Sequence, residues 1–138
     1  MYDIAIVGYG PVGATAANLL GQYGLTTLVI ERDAAIFDQP RAIGFDHEVM
    51  RVFQSAGLAD AVLPHTGSLR STIYTGARDQ VIRRFQHVPP PFPYGWFPNY
   101  TFDQPGLEAA LRRGAERDRK STRLNSSHEI PSRMPSSA

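Results

Sequence analysis

The chain begins with a short, largely apolar run rich in β-branched residues, Tyr2 to Val7, which predicts a strand. It leads directly into Gly8-Tyr9-Gly10-Pro11-Val12-Gly13. From Pro11 the period changes: Val12, Ala16, Leu19, Leu20 and Tyr23 recur at helical spacing until Gly24. That spacing, with proline at a first helical position, predicts a helix over 11–23. Thr26 to Ile30 reads as a second buried strand, and Glu31 stands at its end. Strand, glycine turn, helix, strand and acid follow in the order of a mononucleotide-binding βαβ unit. The fold class is therefore α/β and Rossmann-like.

Beyond the Pro40-Arg41 loop, a helix is predicted over 46–55 with Val49, Val52 and Phe53 as its buried stripe; Gly57 closes it, and a helical turn spans 58–63. Segments 70–75 and 80–85, separated by Gly76-Ala77-Arg78-Asp79, have the pattern of a β-hairpin inserted into the domain. A strand at 100–103 precedes a helix over 105–116, whose apolar face is Leu107, Ala110 and Leu111. There is no internal repeat. The stretch Pro89 to Tyr100 interleaves prolines and aromatics so densely that it is expected to pack on the fold rather than to serve as a proline-rich ligand.

Each part of the βαβ pattern has a physical reason. Gly8 permits a tight turn, Gly10 lets backbone N–H groups approach a pyrophosphate with no Cβ in the way, and Gly13 lets the helix sit close on the sheet. Ala17 is small at another point of close approach. The helix points its positive end at the phosphates. Glu31, 18 residues after Gly13, can accept hydrogen bonds from both ribose hydroxyls and would repel a 2′-phosphate. The site therefore prefers the adenosine half of FAD or NAD to that of NADP. An isolated GxGxxG is weak evidence, and a structural βαβ unit with incidental glycines is the alternative, but that alternative gives no reason for Glu31.

Composition narrows the picture. The 138 residues amount to one small domain, too little for separate cofactor and substrate domains. With no cysteine, there is no disulfide scaffold, thiol nucleophile or thiolate metal site, and no metal site is expected. No run approaches the roughly 18 apolar residues of a membrane span, and the N-terminus lacks the basic start of a signal peptide, so the expectation is a cytoplasmic protein. Arg83 and Arg84 are too few to argue for nucleic acid.

The formal charge of +1 is uneven. Residues 1–117 carry 10 Arg against 11 acidic groups, whereas 118–138 carry 4 basic and 2 acidic groups, six of the nine serines and the only lysine, Lys120. Such a shift marks a boundary. Asp118 to His128, and again Ser132 to Ala138, resemble the translation of one frame of a common sequencing adapter. The expectation is an incomplete FAD-binding or NAD-binding domain over 1–117, truncated within a longer reading frame, followed by a non-native, disordered tail over 118–138.

Spacing leaves FAD and NAD open; a family resemblance favours FAD. Glu31-Arg32-Asp33, then Pro40-Arg41-Ala42-Ile43-Gly44, and later Gln104-Pro105-Gly106-Leu107-Glu108-Ala109-Ala110-Leu111 resemble the N-terminal part of the FAD-dependent aromatic hydroxylases, the single-component flavoprotein monooxygenases. Within them, Pro40 to Glu48 and Gly57 to Thr66 are similar to the 3-(3-hydroxyphenyl)propionate hydroxylases. The resemblance covers residues 2–113. It implies that Arg41 lies by the FAD pyrophosphate, that Arg32 lies over the adenine or its ribose or is solvated, and that Gln104 reaches the ribityl or phosphate region. With Gly8, Gly10, Pro11, Val12, Gly13 and Glu31 these complete the expected cofactor contacts.

The resemblance further implies a larger enzyme in which NADH or NADPH reduces the flavin and O₂ then supplies an oxygen atom to a small aromatic, phenolic substrate. That chemistry needs no catalytic acid or base from residues 1–117. His47 and Glu48 are expected to be solvated rather than an acid–base pair, and His65 to be a loop histidine. The family's downstream Asp-Gly and Gly-Asp motifs do not occur in this sequence, so the piece alone is expected to be inactive. An NAD-dependent dehydrogenase domain, a stand-alone nucleotide-binding module, and a flavin halogenase or epoxidase are the competing readings.

Overall fold

A computed structural model describes residues 1–39, 41–86 and 89–117, together with the backbone of 121–125. The first strand, β1 (Ile4–Val7), runs through the glycine turn into α1 (Pro11–Gln22), and the chain returns as β2 (Thr27–Glu31). β1 and β2 pair in parallel, Ile4 opposite Thr27 and Val7 opposite Ile30. A parallel pair needs a crossover, and α1 supplies it. Gly24 has a positive φ of 75°, which lets the chain reverse after the helix.

The face α1 buries differs from the predicted stripe. Val12 and Tyr23 are 84% and 81% exposed, whereas Ala14, Ala17, Asn18 and Gly21 are buried. Close approach sets this face. The Asn18 amide donates to the carbonyls of Ala14 (2.7 Å) and Leu111 (2.8 Å), and a Cβ on Gly114 would fall 2.5 Å from Asn18 Oδ1. Small residues let two backbones approach within reach of one amide.

A second sheet follows, in the order β3 (Gly44–Asp46), β7 (Asn99–Phe102), β4 (Thr66–Ser68), all antiparallel. Between these strands lie α2 (His47–Ser55) and α3 (Ala59–Val62) with a 3₁₀ turn at Leu63–His65. The Asp46 carboxylate caps α2 by accepting from Glu48 and Val49 N–H. Its buried residues are Met50 and Phe53; Val49 and Val52, part of the predicted stripe, are 37% and 40% exposed. Phe45 on β3 fixes this rotation, meeting Phe53 edge-on at 5.6 Å and stacking on Tyr100 at 5.3 Å.

The inserted hairpin is β5 (Ser71–Thr75) with β6 (Val81–Gln86), antiparallel. Pro89 to Tyr100 packs as its aromatic density suggests: Phe92 lies against Phe97, Phe97 against Tyr100, and Trp96 Nε1 donates to Gln54 Oε1 at 2.8 Å. His47 is half-buried edge-on against Tyr94, less solvated than expected, and Glu48 is exposed.

The last helix, α4 (Gln104–Arg117), buries Leu107, Ala110 and Leu111 as predicted. Leu107 and Leu111, with Met50, Leu58 and Val62, form the centre of the core; each such side chain contributes about 1.5–3 kcal/mol on burial. After α4 the chain departs from expectation. Composition predicts a disordered extension, yet Ser121–Asn125 form β8, parallel to β2 from Thr27–Ser121 to Glu31–Asn125. With β1 on one side only, β2 has peptide groups to satisfy on the other, and an extended segment satisfies them. The remainder of 118–138 lies outside the described residues.

Candidate functional site

Where β1 ends, the backbone turns at Gly8 with φ of 98°, a left-handed value that L side chains rarely adopt. Gly8 N–H donates to the Ile30 carbonyl at 2.8 Å, so the bend is tied to β2. A Cβ at Gly13 would collide with the Gly8 carbonyl oxygen, whereas one at Gly10 would meet nothing within 4 Å. Gly13 is thus required by the fold itself. Gly10 leaves a space open.

That space belongs to a cavity of about 580 Å³, in the range typical of small-molecule sites. All nine residues singled out from the sequence line it: Gly8, Gly10, Pro11, Val12, Gly13, Glu31, Arg32, Arg41 and Gln104. The first turn of α1 faces it with no side-chain cap on its N–H groups and no acidic residue. Free amides and the positive helix end favour an anion there.

Glu31 is held rather than loose. One carboxylate oxygen accepts from Tyr9 N–H (2.6 Å) and the other from Asp33 N–H (3.0 Å). Partial burial is the largest single influence and raises its pKa, but N–H groups of Asp33, Tyr9 and Arg32, aided by the charge of Arg112, outweigh it. The carboxyl therefore titrates below its ordinary value. Each oxygen keeps acceptor capacity for a hydroxyl, as a ribose diol requires.

The three remaining polar residues take different positions. Arg32 extends into solvent, 80% exposed, where it pairs with Asp33 at 3.3 Å. Arg41 is exposed at the rim over the Phe37 ring, 5.1 Å from its centroid. Gln104 is buried, and its carbonyl accepts from Arg41 N–H (2.7 Å) and Ala42 N–H (3.0 Å). That end of the amide holds the arginine loop in place.

Sequence reasoning missed Tyr9, Glu108 and Arg112. Arg112 donates from Nη2 to Glu108 (2.6 Å) and from Nε to the Tyr9 carbonyl (3.0 Å), and its guanidinium lies over the Tyr9 ring at 4.8 Å. Glu108 and Arg112 line the same cavity. Their i,i+4 spacing was the available signal, but on a helix it ordinarily marks a solvated pair. His65, by contrast, lies outside the cavity lining; its carbonyl accepts from Asp103 N–H. Among the described residues no cluster of His, Asp and Glu is arranged to hold a metal, and no helix is long and apolar enough to cross a membrane.

A parallel βαβ unit with an uncapped helix start, a glycine bend and an acid at the second strand's tip defines a dinucleotide-binding domain of Rossmann type. Comparison with known proteins makes this specific. Residues 1–133 match the family model described as FAD binding domain, and the chain belongs to that family. It is 42% identical over 115 residues to the 3-(3-hydroxy-phenyl)propionate/3-hydroxycinnamic acid hydroxylase of Mycolicibacterium smegmatis, covering 83% of this chain and 20% of the relative. It is 43% identical over 126 residues to hydroxylase 1 of the same name from Burkholderia vietnamiensis, covering 88% and 20%. The chain thus spans about a fifth of the length of the curated relatives it matches.

Among solved structures, p-nitrophenol 4-monooxygenase PnpA from Pseudomonas putida superposes with a TM-score of 0.77 at 17% identity, over 90% of this chain and 31% of that one. The flavin-dependent monooxygenase PieE, in complex with FAD and substrate, gives 0.71 at 22% identity, over 90% and 23%. At these identities the likeness is one of fold.

Proposed function

We propose that this chain is the cofactor-gripping part of a larger, cytoplasmic, NAD(P)H-dependent flavoprotein monooxygenase that hydroxylates a phenolic aromatic acid. The observation that carries the reading is the convergence on one cavity of the Gly8–Gly13 bend, the α1 N-terminus, Glu31 and the Arg41 loop. In this reading the α1 amides and Arg41 bind the FAD pyrophosphate, Glu31 accepts from the adenosine ribose, and Arg32 lies near the adenine. Gln104 keeps the Arg41 loop in place and lies beside the cofactor. FAD, when bound, accepts hydride and activates O₂; the residues here position it and keep water from it. Overall, one oxygen atom enters the ring and the other leaves as water, with the nicotinamide cofactor oxidised. The names of the relatives at about 40% identity support the substrate class.

We further propose that the native domain portion spans 1–117 and that 118–138 is adapter-derived. Reading the source genome past the Arg117 codon tests this. The expected result is a different continuation, one that includes an apolar strand; the same Lys120-to-Ala138 sequence in the genome would overturn it.

The function is tested by expressing the complete reading frame. The expected result is a yellow protein carrying FAD, whose NADH or NADPH oxidation and O₂ uptake rise with 3-(3-hydroxyphenyl)propionate or a related phenolic acid and yield a product one oxygen heavier. A protein that binds no FAD would overturn the cofactor site. One that binds FAD but is stimulated by no phenolic acid would overturn the substrate class.

A further inference from the structure

We infer that Arg112, held by Glu108, is a positioning residue for the dinucleotide bend, acting through Tyr9. The inference rests on the FAD-site reading above and extends it to two residues on α4, about a hundred positions away in sequence.

Tyr9 is the one residue with a side chain between Gly8 and Gly10, and it is buried. Its backbone and its ring are held from two directions. Its N–H donates to Glu31 at 2.6 Å, while its carbonyl accepts from Arg112 Nε at 3.0 Å. Its ring lies beneath the Arg112 guanidinium, and its hydroxyl reaches the Arg112 carbonyl at 3.4 Å. The Tyr9 carbonyl belongs to the peptide group whose N–H is that of Gly10. Fixing that carbonyl therefore fixes the direction of the amide plane that begins the phosphate cradle.

The burial of the pair supports the same conclusion. The Arg112 and Glu108 side chains are only 9% and 5% exposed. Burying an ion pair brings little or no net stability, and apolar residues of similar volume often replace one without loss. A core that needed only cohesion would have no use for the two charges. The guanidinium instead provides a planar fork with donors at fixed angles, one spent on Glu108 and one on the Tyr9 carbonyl.

The test uses the complete, FAD-stripped enzyme and the double variant Glu108→Leu/Arg112→Met, which removes both charges without orphaning either. Three readouts are taken: thermal midpoint, FAD dissociation constant, and hydrogen exchange of peptides spanning 8–13 against those spanning 104–111. The expected result is a midpoint within about 5 °C of the parent, a dissociation constant raised about tenfold, equivalent to ~1.4 kcal/mol, and faster exchange confined to the bend. Arg112→Lys, which keeps the charge but loses the fork, restores less than half of that binding loss.

Unchanged FAD affinity in the double variant would overturn the inference. So would a lowered midpoint with faster exchange in both regions, because the pair would then only hold the fold together. A parent enzyme that fails to bind FAD would instead overturn the underlying site reading, and the inference with it.

Discussion

The side-chain carbonyl of Gln104 accepts from two consecutive backbone N–H groups, Arg41 at 2.7 Å and Ala42 at 3.0 Å, so the first residue of α4 holds a loop more than 60 residues earlier. Arg41 itself is exposed and its guanidinium is steered by Phe37. The loop's backbone position therefore depends on Gln104 more than on Arg41's own contacts. Gln104→Leu leaves two N–H groups without their acceptor, at a cost of about 1–3 kcal/mol. FAD affinity in the complete enzyme should fall about tenfold, while Gln104→Glu, which keeps the acceptor but sets a carboxylate in the cavity that receives the pyrophosphate, should hold the loop and still bind FAD more weakly than the parent. Fluorescence titration of the stripped protein checks both.

Gly13 and Gly10 should respond differently to the same methyl group. Gly13→Ala drives a Cβ into the Gly8 carbonyl and is expected to destabilise the protein by about 1–3 kcal/mol, seen as a lower thermal midpoint. Gly10→Ala meets no protein atom within 4 Å. It should leave the midpoint of the apoprotein unchanged and weaken FAD binding by tenfold or more, about 1.4 kcal/mol.

Glu31 gives a pH dependence whose sign is fixed. Its folded pKa lies below the ordinary value of 4.5, so its contribution is fully present above that value and is lost as pH falls through the depressed folded pKa. FAD affinity should be steady from neutrality down to about 4.5 and decline only at lower pH. In Glu31→Gln it should be weaker from neutrality down to about 4.5 and lack this acid decline, so that the two proteins converge at low pH. Titrations at stepped pH on the two proteins distinguish these profiles.

Asn18 joins α1 to α4 through a single amide. Asn18→Ala should cost about 1–2 kcal/mol, in the range of a buried hydrogen bond with an orphaned partner. Because the residue is outside the cavity lining, FAD affinity should change less than twofold. Thermal midpoint and cofactor titration on one preparation separate the two effects.

Much of the site is legible in the sequence because glycine and a terminal acid are demanded by backbone geometry and by the ribose, and neither requirement depends on distant residues. The βαβ order, the hairpin and the apolar face of α4 follow from local period in the same way. The buried faces of α1 and α2 do not. Val12, Tyr23, Val49 and Val52 satisfy the helical period yet stay exposed, because small residues decide helix approach at Ala14, Ala17 and Gly21 and because Phe45 fixes the rotation of α2. Strands as short as Gly44–Asp46 and Thr66–Ser68 carry no readable alternation. Glu108 and Arg112 look like any exposed helical pair until the chain brings Tyr9 beneath them.

The ladder between β2 and β8 consists of main-chain donors and acceptors, to which residue identity is nearly irrelevant. The seam beside β2 therefore works as a generic berth: whatever polypeptide emerges from α4 in extended form can dock there. A gene fragment ligated to foreign code at this point would acquire a sheet neighbour all the same, and a neatly paired third strand on its own says little about whether evolution wrote it.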